Sequence, residues 1–106
     1  MDPKTKAKYE VRAGVFKALG HPTRLFIVDE LSKGTRCFCE LTEMLEIDKS
    51  TVSRHLSILK SAGVVSDEKR GNQVFYSLNV PCVLNFFTCV DVVLQTVAEK
   101  SLEAIS

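Results

Sequence analysis

No run of apolar residues in this sequence approaches the roughly 18 that a bilayer-crossing helix needs, and the lysines near the N-terminus are not followed by the apolar stretch of a signal peptide. The expectation is a cytoplasmic protein with no membrane partner. Charge of one sign is lacking too: 14 Lys and Arg against 13 Asp and Glu leave a net charge of +1, so no overall basic field announces a nucleic acid. Any electrostatic footprint must come from local distribution, and that distribution is uneven. Residues 1–20 carry Lys4, Lys6, Lys8, Arg12 and Lys17 against Asp2 and Glu10, whereas residues 80–106 carry Lys100 against Asp91, Glu99 and Glu103. Repeats, low-complexity segments and internal linkers are absent, and 106 residues, 45% hydrophobic and 25% charged, suit one globular domain over 1–106. A glycine-rich cofactor loop and a nucleophile–base pair are missing as well, which argues against an enzyme and against an organic cofactor. In a reducing compartment the four cysteines are not expected to form a disulfide framework, so they are either small buried apolar residues or reactive, ligating thiols.

The most informative stretch is 37–62. Leu41, Met44 and Leu45 recur at helical spacing, Ile47 and Asp48 interrupt the pattern, and Val52, Leu56 and Leu59 restart it. Two short helices joined by a tight turn, each offering an apolar stripe to one core, make a helix-turn-helix. At about 100° per residue, Ser50, Arg54, Ser57 and Ser61 lie opposite Val52, with Lys49, Thr51 and Ser53 on the flanks near the start. Short hydroxyls and a forked cation without a carboxylate suit a helix that enters a major groove with its N-terminal residues at the base edges. The ordinary alternative is a solvated helix face.

Around this unit the chain reads as follows. Residues 4 to about 19 form a first helix with Val11, Val15, Phe16 and Leu19 on one side, ended by Gly20. His21-Pro22 opens a second, whose apolar side is Leu25, Phe26, Val28 and Leu31 and which stops at Lys33-Gly34; Arg36 sits in a short connection. After Gly63 the period becomes alternating. Val64–Lys69 and Gln73–Leu78 are two β-rich segments around Arg70-Gly71-Asn72, a hairpin with Lys69, Arg70, Asn72 and Gln73 at its tip. Beside a recognition helix such a wing can touch a phosphate or a minor groove; a solvated polar turn is the other reading. Pro81 starts a last helix reaching at least Leu102. It carries two adjacent apolar stripes, Val83, Phe87, Val90, Leu94 and Val97 beside Cys82, Phe86, Cys89 and Val93, more than so small a chain can cover. A second copy is the natural cover, and a dimer can read two half-sites about one DNA turn apart. The expected fold is mostly α with a β-hairpin wing, order ααααββα, a homodimer through its terminal helices.

The strings Phe16-Lys-Ala-Leu-Gly-His-Pro-Thr-Arg-Leu25, Ser50-Thr-Val-Ser-Arg-His-Leu-Ser-Ile-Leu-Lys-Ser-Ala-Gly-Val64 and Arg70-Gly-Asn-Gln-Val-Phe-Tyr-Ser-Leu78 resemble the second-helix opening, recognition helix and wing of the ArsR/SmtB family of bacterial winged helix-turn-helix repressors. The resemblance covers nearly the whole chain. It implies a homodimer that occupies double-stranded operator DNA and leaves it when an inducer binds, usually a metal ion or metalloid held by thiolates, imidazoles or carboxylates. Carried over by position, the DNA-reading residues are Lys49, Ser50, Thr51, Ser53, Arg54 and His55, with Arg70 in the wing, beside Asn72 at the wing tip. His55 lies roughly 60° from the core direction, so packing at the helix flank competes with a base contact. Ile58 points away from the core stripe and has no account beyond contact with a neighbouring helix.

Cys37 and Cys39 fall where the family's arsenic, cadmium and lead sensors carry a Cys-X-Cys. A helix start lowers thiol pKa, and thiolate binds soft ions, so a metal role is favoured over packing. On an ideal helix the two would stand about 200° apart, so gripping one ion requires the first turn to fray, which would disturb the recognition helix. The third cysteine of the arsenic-sensor pattern is Thr42 here. Cys82 and Cys89 are the further candidates, to complete the site or to form their own across a dimer, although the preferred reading makes them buried core residues. A His-and-carboxylate site on the last helix is poorly supported, since His21 and His55, the only histidines, lie elsewhere. The expected function is a DNA-binding repressor released by a thiophilic ion, As(III) foremost and otherwise Cd(II), Pb(II) or Zn(II). A second reading makes the thiols a redox or persulfide switch, pairing Cys39 with Cys82 or Cys89. A third is a winged-helix dimerisation module that never touches DNA.

Overall fold

The computed structural model describes residues 1–105, residue 105 by its backbone alone. The elements run α1 (Pro3–Leu19), α2 (Pro22–Ser32), β1 (Arg36–Cys37), α3 (Phe38–Leu45), α4 (Lys49–Ser61), β2 (Val65–Arg70), β3 (Gln73–Leu78) and α5 (Val83–Ile105). Local chemistry sets most boundaries. Asp2 accepts from the Thr5 amide at 2.7 Å with Pro3 in the first turn of α1, and His21 Nδ1 accepts from the Thr23 amide at 3.1 Å with Pro22 opening α2. Cys37 and Glu40 form a reciprocal capping box at the start of α3: the Glu40 amide donates to Cys37 Sγ, and the Cys37 amide donates to Glu40 Oε1 at 3.1 Å. Glu46, left-handed at φ 54°, ends α3 and makes the tight turn to Asp48, which caps α4.

The helix-turn-helix and the wing stand where the sequence places them, and the structure adds a strand. Arg36–Cys37, read as a connection, pairs antiparallel with Tyr76 and Phe75, giving a three-stranded sheet in the order β1-β3-β2. The hairpin turn is the two residues Gly71-Asn72, with Arg70 opposite Gln73; Gly71 at φ 62° supplies the left-handed backbone that such turns need.

One core joins Ile27, Val28 and Leu31 of α2, Leu41 of α3, Val52, Leu56 and Leu59 of α4, Val64 and Val65 at the sheet, and Val83 of α5. Each fully buried aliphatic side chain contributes about 1.5–3 kcal/mol, so the three from α4 fix which face of that helix points outward. The last helix begins at Val83 rather than Pro81, and beyond the half-buried Phe87 it leaves the core, with Val90, Val93, Leu94 and Val97 exposed. Val11, Phe16 and Met44, expected in apolar stripes, are exposed too; Phe16 meets Phe86 edge to face at 5.7 Å and so joins α1 to α5. Among the described residues no helix is long and apolar enough to cross a membrane.

Candidate nucleic-acid interface and thiol pair

Lys49, Ser50, Ser53, Arg54 and Ser57 of α4 are exposed and Thr51 is half-buried, opposite the side that Val52, Leu56 and Leu59 commit to the core. Asp48 organises the first turn. Its carboxylate accepts the Ser50 hydroxyl, the Thr51 hydroxyl at 2.8 Å and the Thr51 amide at 3.1 Å. Those bonds, the Ser50 hydroxyl foremost and then the Thr51 hydroxyl and amide, hold the Asp48 carboxyl down at about 2, so it stays ionised.

His55 is not on the outward face. It is 8% exposed, and its Nδ1 accepts from Arg24 Nη1 at 3.1 Å. A guanidinium only donates, so the imidazole is neutral with its proton on Nε2. Arg24 is itself clamped, donating to the Ala18 carbonyl and, at 3.4 Å, to the Lys17 carbonyl, while the His21 ring lies 4.5 Å from that of His55. His55 therefore ties the recognition helix to α2 and to the end of α1, and its burial favours packing at the helix flank over a base contact. Burial, then the fields of His21, Arg24 and Arg54, push its pKa below the usual imidazole value. Ile58 also gains an account: with Val11, Val15, Arg54 and Ser57 it lines a groove of about 690 Å³ between α1 and α4.

In the wing, Arg70 pairs with Glu68 at 3.1 Å and lies 4.8 Å over the Phe75 ring, its side chain 56% exposed. Asn72 and Gln73 are exposed at the tip and, with Val74 and Tyr76, border a cleft of about 320 Å³ whose other walls are Phe38, Cys39 and Ser53. Lys60 pairs with Asp67 at 3.0 Å and ties the end of α4 to β2.

The thiols depart from expectation in four ways. Cys37 and Cys39 are joined in a disulfide, where no disulfide framework is expected and the redox reading pairs Cys39 with Cys82 or Cys89. The two sulfurs meet without any fraying, because Cys37 is the extended cap of α3 at ψ 157° and not a helical residue, which removes the separation of about 200° expected of an ideal helix. Cys37 also has a packing role, being 4% exposed, whereas Cys39 is exposed on the cleft. Cys82 and Cys89 are free and exposed, not buried among Val and Phe. Among the described residues no three His, Cys, Asp or Glu side chains gather closely enough to hold an ion.

Residues 21–67, from the cap of α2 through the recognition helix into β2, match the arsR family of bacterial regulatory proteins. An uncharacterized HTH-type transcriptional regulator of Methanocaldococcus jannaschii is 46% identical over 70 residues, 65% of this chain and 79% of that protein. This chain belongs to the ArsR family. The arsenical resistance operon repressor of Bacillus subtilis is 42% identical over 73 residues, 68% of this chain and 67% of its own. The homodimeric winged helix-turn-helix DNA-binding domain from Mycobacterium bovis, a possible ArsR-family regulator whose structure was solved by NMR, superposes with a TM-score of 0.77 at 29% identity, covering 94% of this chain and 93% of that one. As an ArsR-family member the protein is a transcriptional repressor with a DNA-binding winged helix-turn-helix, and it is not an enzyme. The positioning residues Arg24, Glu40 and Asp48 were missed in sequence. Cys37-x-x-Glu40 and Asp48-x-x-Thr51 both carry the spacing of a helix cap, which is the signal that would have found two of them.

Proposed function

We propose that this repressor works as a homodimer through α1 and α5 and leaves its operator when a thiophilic ion, As(III) foremost and otherwise Cd(II), Pb(II) or Zn(II), binds the reduced Cys37 and Cys39. Lys49, Ser50, Thr51, Ser53 and Arg54 of α4 meet the major groove, and Arg70 and Asn72 of the wing meet the backbone beside it. The observation that carries the reading is the meeting of the two sulfurs at the cap of α3, where β1, α3 and the cleft bordered by Ser53 and Asn72 come together. The arsenical repressor of B. subtilis supports the choice of ion. The fit is partial: two sulfurs converge within the chain, and the further ligand that As(III) takes has to come from Cys82 or Cys89 of a second copy or from a small thiol in solution. The homodimeric M. bovis neighbour and the apolar side chains exposed on α5 support the dimer.

The disulfide favours a second reading, a redox switch within Cys37-X-Cys39 in place of pairing with Cys82 or Cys89. The two thiols would give up two electrons and two protons to hydrogen peroxide, which becomes two waters as the S–S bond forms. Ion binding needs both thiols reduced, so the two readings exclude each other in any one molecule.

Bound-ion analysis of reduced protein and of the four single Cys→Ser variants separates them. The metalloid reading expects arsenite retained by wild type and lost from Cys37→Ser and Cys39→Ser; no retention by reduced wild type contradicts it. For the DNA part, affinity for duplex should fall steeply as salt rises, and a flat salt response would contradict it.

A further inference from the structure

The acid that caps the recognition helix accepts hydrogen bonds from the hydroxyls of two side chains expected to read DNA. A hydroxyl owns one hydrogen and two lone pairs. Ser50 Oγ donates to Asp48 Oδ2 and Thr51 Oγ1 donates to Asp48 Oδ1 at 2.8 Å; since an ionised carboxylate only accepts, the direction of both bonds is fixed. What these oxygens present away from Asp48 is lone pairs alone.

We propose that Asp48 thereby sets the base preference of the repressor, restricting Ser50 and Thr51 to bases that offer an amino group in the major groove. The donors there are adenine N6 and cytosine N4; guanine N7 and O6 and thymine O4 are acceptors and would face the hydroxyl lone pairs. Each of the two positions met by Ser50 and Thr51 in a half-site is therefore A or C, not G or T, on the strand that faces the helix. Phosphate oxygens are acceptors as well, so backbone contact falls to the donor-only side chains Lys49 and Arg54. The exposed Ser53 hydroxyl has no side-chain hydrogen-bond partner among the described residues, keeps its own proton free, and reads either kind of base. Asp48 need not touch DNA; it is a positioning residue acting through its neighbours. The inference rests on the reading of α4 as the groove-entering helix.

The test is selection of duplexes from a randomised pool, with sequencing, by wild type, Ser50→Ala, Thr51→Val and Asp48→Asn. Asn keeps an oxygen for the Thr51 amide and so still caps the helix, but its NH₂ replaces one acceptor, and the hydroxyl that receives it turns its own proton outward. Wild type should favour A or C over G or T by about five- to tenfold at two positions of each half-site, the worth of one hydrogen bond. Ser50→Ala and Thr51→Val should each flatten one of those positions. Asp48→Asn should flatten or invert at least one and leave the rest of the site unchanged. A wild-type preference for G or T at those positions overturns the proposal, as does an A or C preference that survives Asp48→Asn intact. If Asp48→Asn does not fold, Asp48→Ser, another capping residue with a single oxygen, gives the same readout. A wild type that enriches no sequence at all contradicts the DNA-reading assignment itself, which separates the two failures.

Discussion

Protonating His55 has to displace a guanidinium. Its Nδ1 accepts from Arg24, and Arg24 cannot turn away without leaving the Ala18 carbonyl that its Nε also serves. In the unfolded chain His55 takes up a proton near the ordinary imidazole value of about 6.5, whereas in the fold it resists until lower pH. The stability this contributes is fully present above about pH 6.5 and is lost as pH falls through the lower folded value. Thermal melting should therefore hold steady above about pH 7 and decline below about pH 6.5, and His55→Gln, which keeps an acceptor but cannot titrate, should flatten that decline. A wild-type melting temperature that does not change over this range would remove the Arg24–His55 bond from the account. This residue also shows where sequence reading stops. Its place at the flank of the helical wheel allowed both packing and base contact, and the partner that favours packing lies 31 residues away.

At the scale of elements, what the sequence made legible was periodic and what it concealed was relational. Val52, Leu56 and Leu59 repeat at helical spacing because one helix must bury them, and all three are fully buried. The strand Arg36–Cys37 has no such signal: two residues are extended only because Phe75 and Tyr76 lie alongside, with the Thr35 and Ser77 hydroxyls 2.9 Å apart at its edge. The thiol pair was legible as a pair, but its geometry was not, since an N-cap residue looks helical in a string and is extended in space. α5 is a third kind of case. Its apolar periodicity was read correctly as more than one core can use, and the structure leaves Phe86, Val90, Val93, Leu94 and Val97 exposed. Leu94→Glu, 60% exposed in the single chain, should leave the fold intact and yield one-chain mass in sedimentation where wild type gives two. DNA affinity should then drop by on the order of a hundredfold as paired half-site binding is lost. A Leu94→Glu protein that still sediments as a dimer would contradict the terminal-helix interface.

In the whole molecule the thiol pair and the reading surface are neighbours by construction. Cys37 lies in β1 against Phe75 of the wing strand and caps α3; α3 ends at Glu46, two residues before the Asp48 that caps α4; and Cys39 shares its cleft with Ser53 of α4 and Asn72 of the wing. On the proposed reading a change at the sulfurs would reach the two elements assigned to DNA through contacts already made, which is what coupling between two sites requires. Arg36, held between Glu30 at 3.9 Å and Glu40 at 3.8 Å, and the Lys60–Asp67 pair brace the same junction from the outside. The most direct test of this coupling is fluorescence anisotropy of a selected duplex bound to fully reduced protein, titrated with arsenite, for wild type and Cys39→Ser. The account predicts that arsenite weakens wild-type binding by on the order of tenfold or more and leaves Cys39→Ser unmoved. Equal DNA affinity of reduced wild type with and without arsenite would contradict it.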